Sequence, residues 1–241
     1  MRHHLNWILA ASMGVGGMAF MGCEKSGTNG PTASSNTSRS EDGKVINNKD
    51  DAAKTAGSQI PGDQIGTADL SKIYGTLGDT AEAAFTKGGF DDLVERLSTT
   101  DRDRIGKAAN DKFAALDGRV DQLDKDYHGK YNDKFNLDKS KVFENWAKVQ
   151  KTGQDNDKTY AKVTIPAGHN LPELTIPMVK DHEAWKIDAP DDLSATQLKD
   201  NVLTHLTAVD TMKAQWPDGQ LEAQREMVHH VLAAVMNKPA K

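Results

Sequence analysis

The chain has 241 residues, with 30 Lys and Arg against 35 Asp and Glu, a formal charge of −5. That mild acidity argues against a nucleic-acid binder, which calls for clustered Lys and Arg. Cys23 is the only cysteine, so no disulfide within the chain can support the fold.

The first element covers residues 1–22. It opens on Arg2, His3 and His4, then carries no charge from Leu5 to Gly22, while Gly14, Gly16, Gly17 and Gly22 keep the apolar run short and weakly helical. A positive end, an apolar centre of roughly 7 to 15 residues and a small residue at the cut make a secretory signal. With a cysteine at the cut, Phe20-Met21-Gly22-Cys23 resembles the lipobox of bacterial lipoprotein precursors. Gly22 and Cys23 match the family pattern, whereas Phe20 and Met21 stand where it usually has leucine and a small residue. The resemblance implies lipidation at Cys23, export, and attachment to the cell envelope on its periplasmic or outer face, with the membrane as partner through the acyl chains. Each buried methylene contributes about 0.8 kcal/mol, so two or three chains anchor stably where one does not. The rival readings are a buried structural cysteine and an uncleaved membrane span. The polar surroundings oppose the first, and a run that barely approaches about 20 residues and holds four glycines opposes the second.

Residues 23–63 are rich in Ser, Thr, Gly, Asn and Asp, with Val45 and Ile46 almost alone as apolar residues. Such a segment cannot bury enough surface to offset its ordering entropy and is expected to be a disordered tether. As a coil of about 40 residues it would hold the C-terminal domain about 35 Å from the bilayer.

Residues 64–241 suit one domain of α+β class: N-terminal helices packed on a small curved antiparallel sheet, followed by a C-terminal helical hairpin. Leu70, Ile73, Leu77, Ala81, Ala84 and Phe85 repeat at helical spacing, with Thr67 or Asp69 as cap and Gly88-Gly89 as stop. A short helix follows through Phe90, Leu93, Val94 and Leu97. From Asp101 a longer one carries Ile105, Ala109, Phe113, Leu116, Val120, Leu123 and Tyr127 on one stripe, closing the helical region 67–128. Gly106 and Gly118 and fewer than four heptads favour a core-facing helix over a coiled coil.

The sheet is expected over 142–188. Tyr160–Ile165, Leu174–Val179 and Ala184–Asp188 alternate in strand fashion, and Pro177 suggests an edge or a bulge. Val142–Lys151 reads either as helix or as a strand pairing across Gly153-Gln154-Asp155-Asn156-Asp157. The strand is preferred because the turn and the equal flanks suit a meander. Helix returns over 195–237: Ser194 and Gln197 form a capping box, Leu198, Val202, Leu206, Val209 and Met212 make one stripe, and Trp216-Pro217-Asp218-Gly219 breaks the chain before Leu221, Val228, Val231, Leu232 and Val235.

Helices before a sheet whose last strand reads His182-Glu183-Ala184-Trp185-Lys186-Ile187-Asp188 are similar to the nuclear transport factor 2-like superfamily over about residues 67–190. The resemblance implies a cone-shaped α+β fold. That superfamily holds lipoproteins, small-molecule enzymes and scaffolds, and the helical hairpin after the last strand departs from it. No catalytic residue is carried over, and no cofactor is implied.

Trp146, Tyr160 and Trp185 are candidates to line a cone interior against an apolar ligand, with packed core aromatics as the ordinary alternative. His229 and His230 are adjacent on a helix and diverge by about 100°, so both cannot serve one metal within it, although His205 could meet one of them across the hairpin. Two histidines without a placed carboxylate make an incomplete metal site, and the imidazoles read as surface or half-buried. Asp91-Asp92, Asp101-Arg102-Asp103-Arg104 and Asp191-Asp192 sit at expected helix starts, where negative charge meets the helix dipole. The expected function is a lipid-anchored, extracytoplasmic, non-catalytic module that binds a protein partner or a small apolar ligand. The alternative is an enzyme acting on a small apolar substrate within a cone-shaped pocket.

Overall fold

The computed structural model describes residues 65–106, 114–155 and 157–240. The leader, Cys23 and the tether lie outside the described residues. The fold is α+β. In chain order it comprises α1 (Thr67–Ala84), α2 (Phe90–Val94), α3 (Thr99–Gly106), α4 (Ala114–Tyr131), α5 (Lys139–Phe143), strands β1 (Lys148–Asp155), β2 (Lys158–Ile165), β3 (Leu174–Asp181) and β4 (Ala184–Ile187), then α6 (Ala195–Thr211) and α7 (Gln220–Val235). The strands form one antiparallel meander in the order β1-β2-β3-β4.

Pairing opposite residues places them on the same face. Ala161, Val163 and Ile165 of β2, Leu174, Ile176 and Met178 of β3, and Trp185 and Ile187 of β4 therefore share the inner face, and all are buried. The outer face carries Lys148, Lys158, Tyr160, Lys162, Thr175, Pro177 and Lys186. Helix α1 lies against β4. The Trp185 indole N–H donates to Asp69 (3.1 Å), Thr76 Oγ1 donates to the Trp185 carbonyl (2.9 Å), and Lys180 pairs with Asp69 (3.0 Å). Gly88 adopts φ +72°, the left-handed turn that ends the first helical region. Gly78 is required for a different reason: a Cβ there would lie 2.5 Å from Lys139 Cγ, whose amine reaches Asp79 and Glu82.

Helix α7 packs against α1, α5 and α6. Antiparallel pairing within the hairpin is pinned at one end by Asn201, which donates to the Ala234 carbonyl and to Asn237. The Ser194–Gln197 capping box is present at the start of α6, with Asp191 and Asp192 ahead of the cap rather than in the helix. Helix α4 is tied to α6 and its C-terminal extension by the Arg119–Asp210 and Lys213–Asp126 pairs. Asp101 is buried at the start of α3, accepting from the Ser98 hydroxyl and the Ala189 N–H while pairing with Arg104, so this charge is structural.

Three local expectations are corrected. Val142 and Phe143 belong to α5, not to a strand, because Asp138 caps that turn by accepting from the Lys141 N–H. The first strand starts at Lys148, and Gly153 lies within it at a register shift, so the chain reverses after Asp155 and not at Gly153. Pro177 is on an inner strand. Its carbonyl accepts from the Asp188 N–H (3.0 Å), so its donor-less nitrogen also faces the β4 side, where pairing has already ended at Ile187. In the long helix expected from Asp101, α3 and α4 are present, while Ala109 and Phe113 lie outside the described residues.

Candidate functional site

The three aromatics expected in one pocket do not meet. Tyr160 pairs with Val179, which pairs with Lys186, whereas Trp185 pairs with Lys180; Tyr160 and Trp185 are therefore on opposite faces of the sheet. Trp185 is filled in against α1 and is 2% exposed. Trp146, between α5 and β1, packs instead on the rings of His169 and His229, with centroids 6.2 and 6.0 Å away. Arg225 lies over it at 5.8 Å and donates to the Val142 and Glu144 carbonyls at the end of α5.

Those histidines belong to the most unusual arrangement in the domain. His229 and His230 on α7 are 0% exposed and His205 on α6 is 1% exposed, so the reading of surface or half-buried imidazoles is wrong for all three. They are buried because the second half of α7, from Glu226 on, lies among α1, α5, α6 and the β2–β3 connection, which leaves no solvent face to the polar residues there. Adjacency sends the two rings apart as expected, and each finds its own partner: His230 Nδ1 is 3.1 Å from His205 Nδ1, and His229 Nδ1 is 3.5 Å from His169 Nδ1. His169 is the member that sequence reasoning missed. It sits in the β2–β3 connection, where Gly168 and Leu171 exchange backbone hydrogen bonds across His169 and Asn170, both at positive φ (54° and 59°). The available signal was the Gly168-His169-Asn170 turn between two strands, which says nothing of a partner on a distant helix.

Proton positions follow from the carbonyls. His205 Nε2 is 2.8 Å from the Lys238 carbonyl and His229 Nε2 is 3.2 Å from that of Pro172; a carbonyl only accepts, so both nitrogens carry hydrogen. In the neutral state His205 and His229 then accept at Nδ1, and His230 and His169 donate from theirs. His230 Nε2 is left as a bare lone pair, buried and without a hydrogen-bond partner.

Burial pushes all four imidazoles below their ordinary value, His229 to about 4 and His230 to about 3, with the neighbouring histidines adding to the effect on those two. The cluster is neutral at pH 7. Among the described residues, no group of three or more His, Cys, Asp or Glu is placed to hold a metal ion. Among the described residues no carboxylate joins His205, His229 or His230 in such a group, so a divalent ion at either pair would bring uncompensated charge into the interior. What the arrangement can do is take up protons at a structural cost. No protein-family model, curated protein or solved structure matches this chain.

Proposed function

We propose that this is an exported, lipid-anchored envelope protein whose folded domain serves as a non-catalytic binding module for a protein partner or a small apolar ligand. The observation that carries this reading is Gly22-Cys23 closing an uncharged apolar leader, with Cys23 the only thiol in the chain. The polar stretch to residue 63 supplies the reach such an anchor needs. The domain itself supports a module over an enzyme. Between helices and sheet the space is occupied by Trp185, Phe143, Leu77, Ile165 and Ile176, each 2% exposed or less. Asp101 is a buried acid, the usual raw material of a general base, but its oxygens are already committed to Ser98, Ala189 and Arg104. Among the described residues no helix is long and apolar enough to cross a membrane.

Replacement of Cys23 is the test. In the native host, Cys23→Ala should abolish labelling by a fatty-acid analogue and move the protein out of the detergent-soluble membrane fraction. Unchanged labelling and fractionation would remove the anchor reading and leave an uncleaved span in its place.

A further inference from the structure

We propose that the two imidazole pairs, His169–His229 and His205–His230, form a proton-operated latch that, when neutral, fastens the β2–β3 connection and the segment after α7 to the α6–α7 hairpin, and that protonation releases both. This rests on geometry and is independent of the anchor.

Each pair closes a different seam. His229 holds the connection twice, through the His169 ring and the Pro172 carbonyl, and Trp146 packs on both rings. The His205–His230 pair holds the C-terminal segment through the Lys238 carbonyl. The connection turns tightly, with His169 and Asn170 both in left-handed backbone, a region that Asn and His adopt more readily than other non-glycine residues. A turn clasped to a distant helix by a titratable side chain is freed when the clasp is lost.

Proton counting explains why the clasp fails in acid. The neutral His205–His230 pair has two N–H groups, one donated to Lys238 and one shared between the rings. A third proton has two places to go. On His230 Nε2 it becomes a buried cation with no hydrogen-bond partner; the His169 backbone favours that proton electrostatically but lies outside hydrogen-bonding geometry. On His205 Nδ1 it sets two N–H groups against each other at 3.1 Å. Neither state is stable in place, so uptake means opening.

The charged surroundings set the order. From α7, Glu222 favours a proton on His169 and Arg225 opposes it; from α6, the titratable group acting on His229 and His230 is His205; from the β2–β3 connection it is His169; and the C-terminal segment contributes only the Lys238 carbonyl. Glu226 is buried on the same helix, where burial holds its carboxyl above the usual range, and it acts on Tyr131. Of the four rings His169 is the half-buried one with a carboxylate nearby, so it takes a proton first, at Nε2, and keeps its Nδ1–H on His229; the connection is released when a proton reaches His229 Nδ1 and sets two N–H groups against each other.

Hydrogen exchange on the full chain, compared at pH 7.5 and pH 5.5 after correction for intrinsic rates, tests the latch. Amides of residues 166–173 and 236–240 should exchange about tenfold faster or more at the lower pH and stay well ahead of the paired amides of β2, β3 and α1, which exchange only through global unfolding, the pattern of a local opening. Exchange of the two segments at the same rate as those core amides, or no acceleration in them, would overturn the proposal. His205→Gln and His230→Gln, which keep donors and acceptors but cannot gain charge, should remove the pH response of residues 236–240. Should either fail to fold, the imidazole C2 protons of the natural chain decide. The latch requires His229 and His230 to stay neutral in the folded state well below pH 6, and ordinary titration near 6.5 would sink it.

Discussion

Helices α6 and α7 have seventeen and sixteen residues, are joined by a short break, and each carries a recognisable apolar stripe. Their fates differ. On α6 only Ala195, Leu198, Val202, His205, Leu206 and Val209 are buried, a single face, whereas on α7 every residue from Glu226 to Val235 is buried. Each has three neighbouring helices, α3, α4 and α7 for α6 and α1, α5 and α6 for α7; what α7 has in addition is the β2–β3 connection, which reaches it through His169 and Pro172. A stripe tells which side of a helix must be covered, but what the neighbours reach on the remaining sides decides whether polar residues there stay wet. Gln224, Glu226, His229 and His230 are the consequence.

Removing residues 217–241 is the harshest test of that difference. Without α7, the inner faces of α1, α5 and α6 have nothing to bury, so the remainder should lose its cooperative thermal transition and aggregate, as read by circular dichroism and sedimentation. A truncated chain that stayed monomeric with an unchanged melting temperature would show α7 to be an appendage.

Acid should act through α7 next. His229 and His230 have folded-state values of about 4 and about 3, below the unfolded value of about 6.5. The unfolded chain therefore binds protons first. Stability should be complete above about pH 6.5 and fall from there until the pH has passed below the folded values. At pH 5.5 the unfolded chain has taken up protons that both buried rings still refuse, so urea titrations should show a deficit on the order of a few kcal/mol relative to pH 7.5. A flat profile over that range would mean that the two rings are hydrated.

The gentlest test compares matched surface and interior positions. Ala233→Leu inserts atoms where α7 is 1% exposed and should cost about 1 to 3 kcal/mol through overpacking. Asp200→Ala on the exposed side of α6 should stay within about 0.5 kcal/mol. Equal tolerance at both, measured by chemical denaturation, would erase the distinction between the helices.

Legibility in the sequence ends where local information ends. The Ser194–Gln197 box, the break at Trp216–Gly219 and the alternation along β2 and β3 each depend on residues within a few positions of one another, and each lies where the sequence puts it. Errors arise where two local patterns compete or where a distant partner decides. Val142 and Phe143 alternate well enough for a strand, but the Asp138 side chain commits the backbone to a helical turn before them. Trp146 and Trp185 both suggest an inward position, yet Trp185 faces α1 and Trp146 faces the histidines, because the chain between α5 and β1 does not continue the alternation of the sheet. Sequence spacing correctly separates His229 from His230 and suggests His205 across the hairpin. It cannot supply His169, whose position depends on how the β2–β3 turn docks.

The two margins of the sheet differ in a way that governs assembly. Along β4 the outward groups are occupied: the Ile187 N–H and carbonyl bond the Arg96 carbonyl and the Ser98 N–H, and Thr76 takes the Trp185 carbonyl. The β1 margin has no such cover among the described residues, and Lys148 and Lys151 stand on it as charged deterrents to casual strand pairing. Among the described residues β1 is then the margin left open, and two molecules that met strand to strand there would exhaust each other's valence. Continued growth by strand addition consumes two margins per molecule, and on the β4 side the occupied groups oppose it.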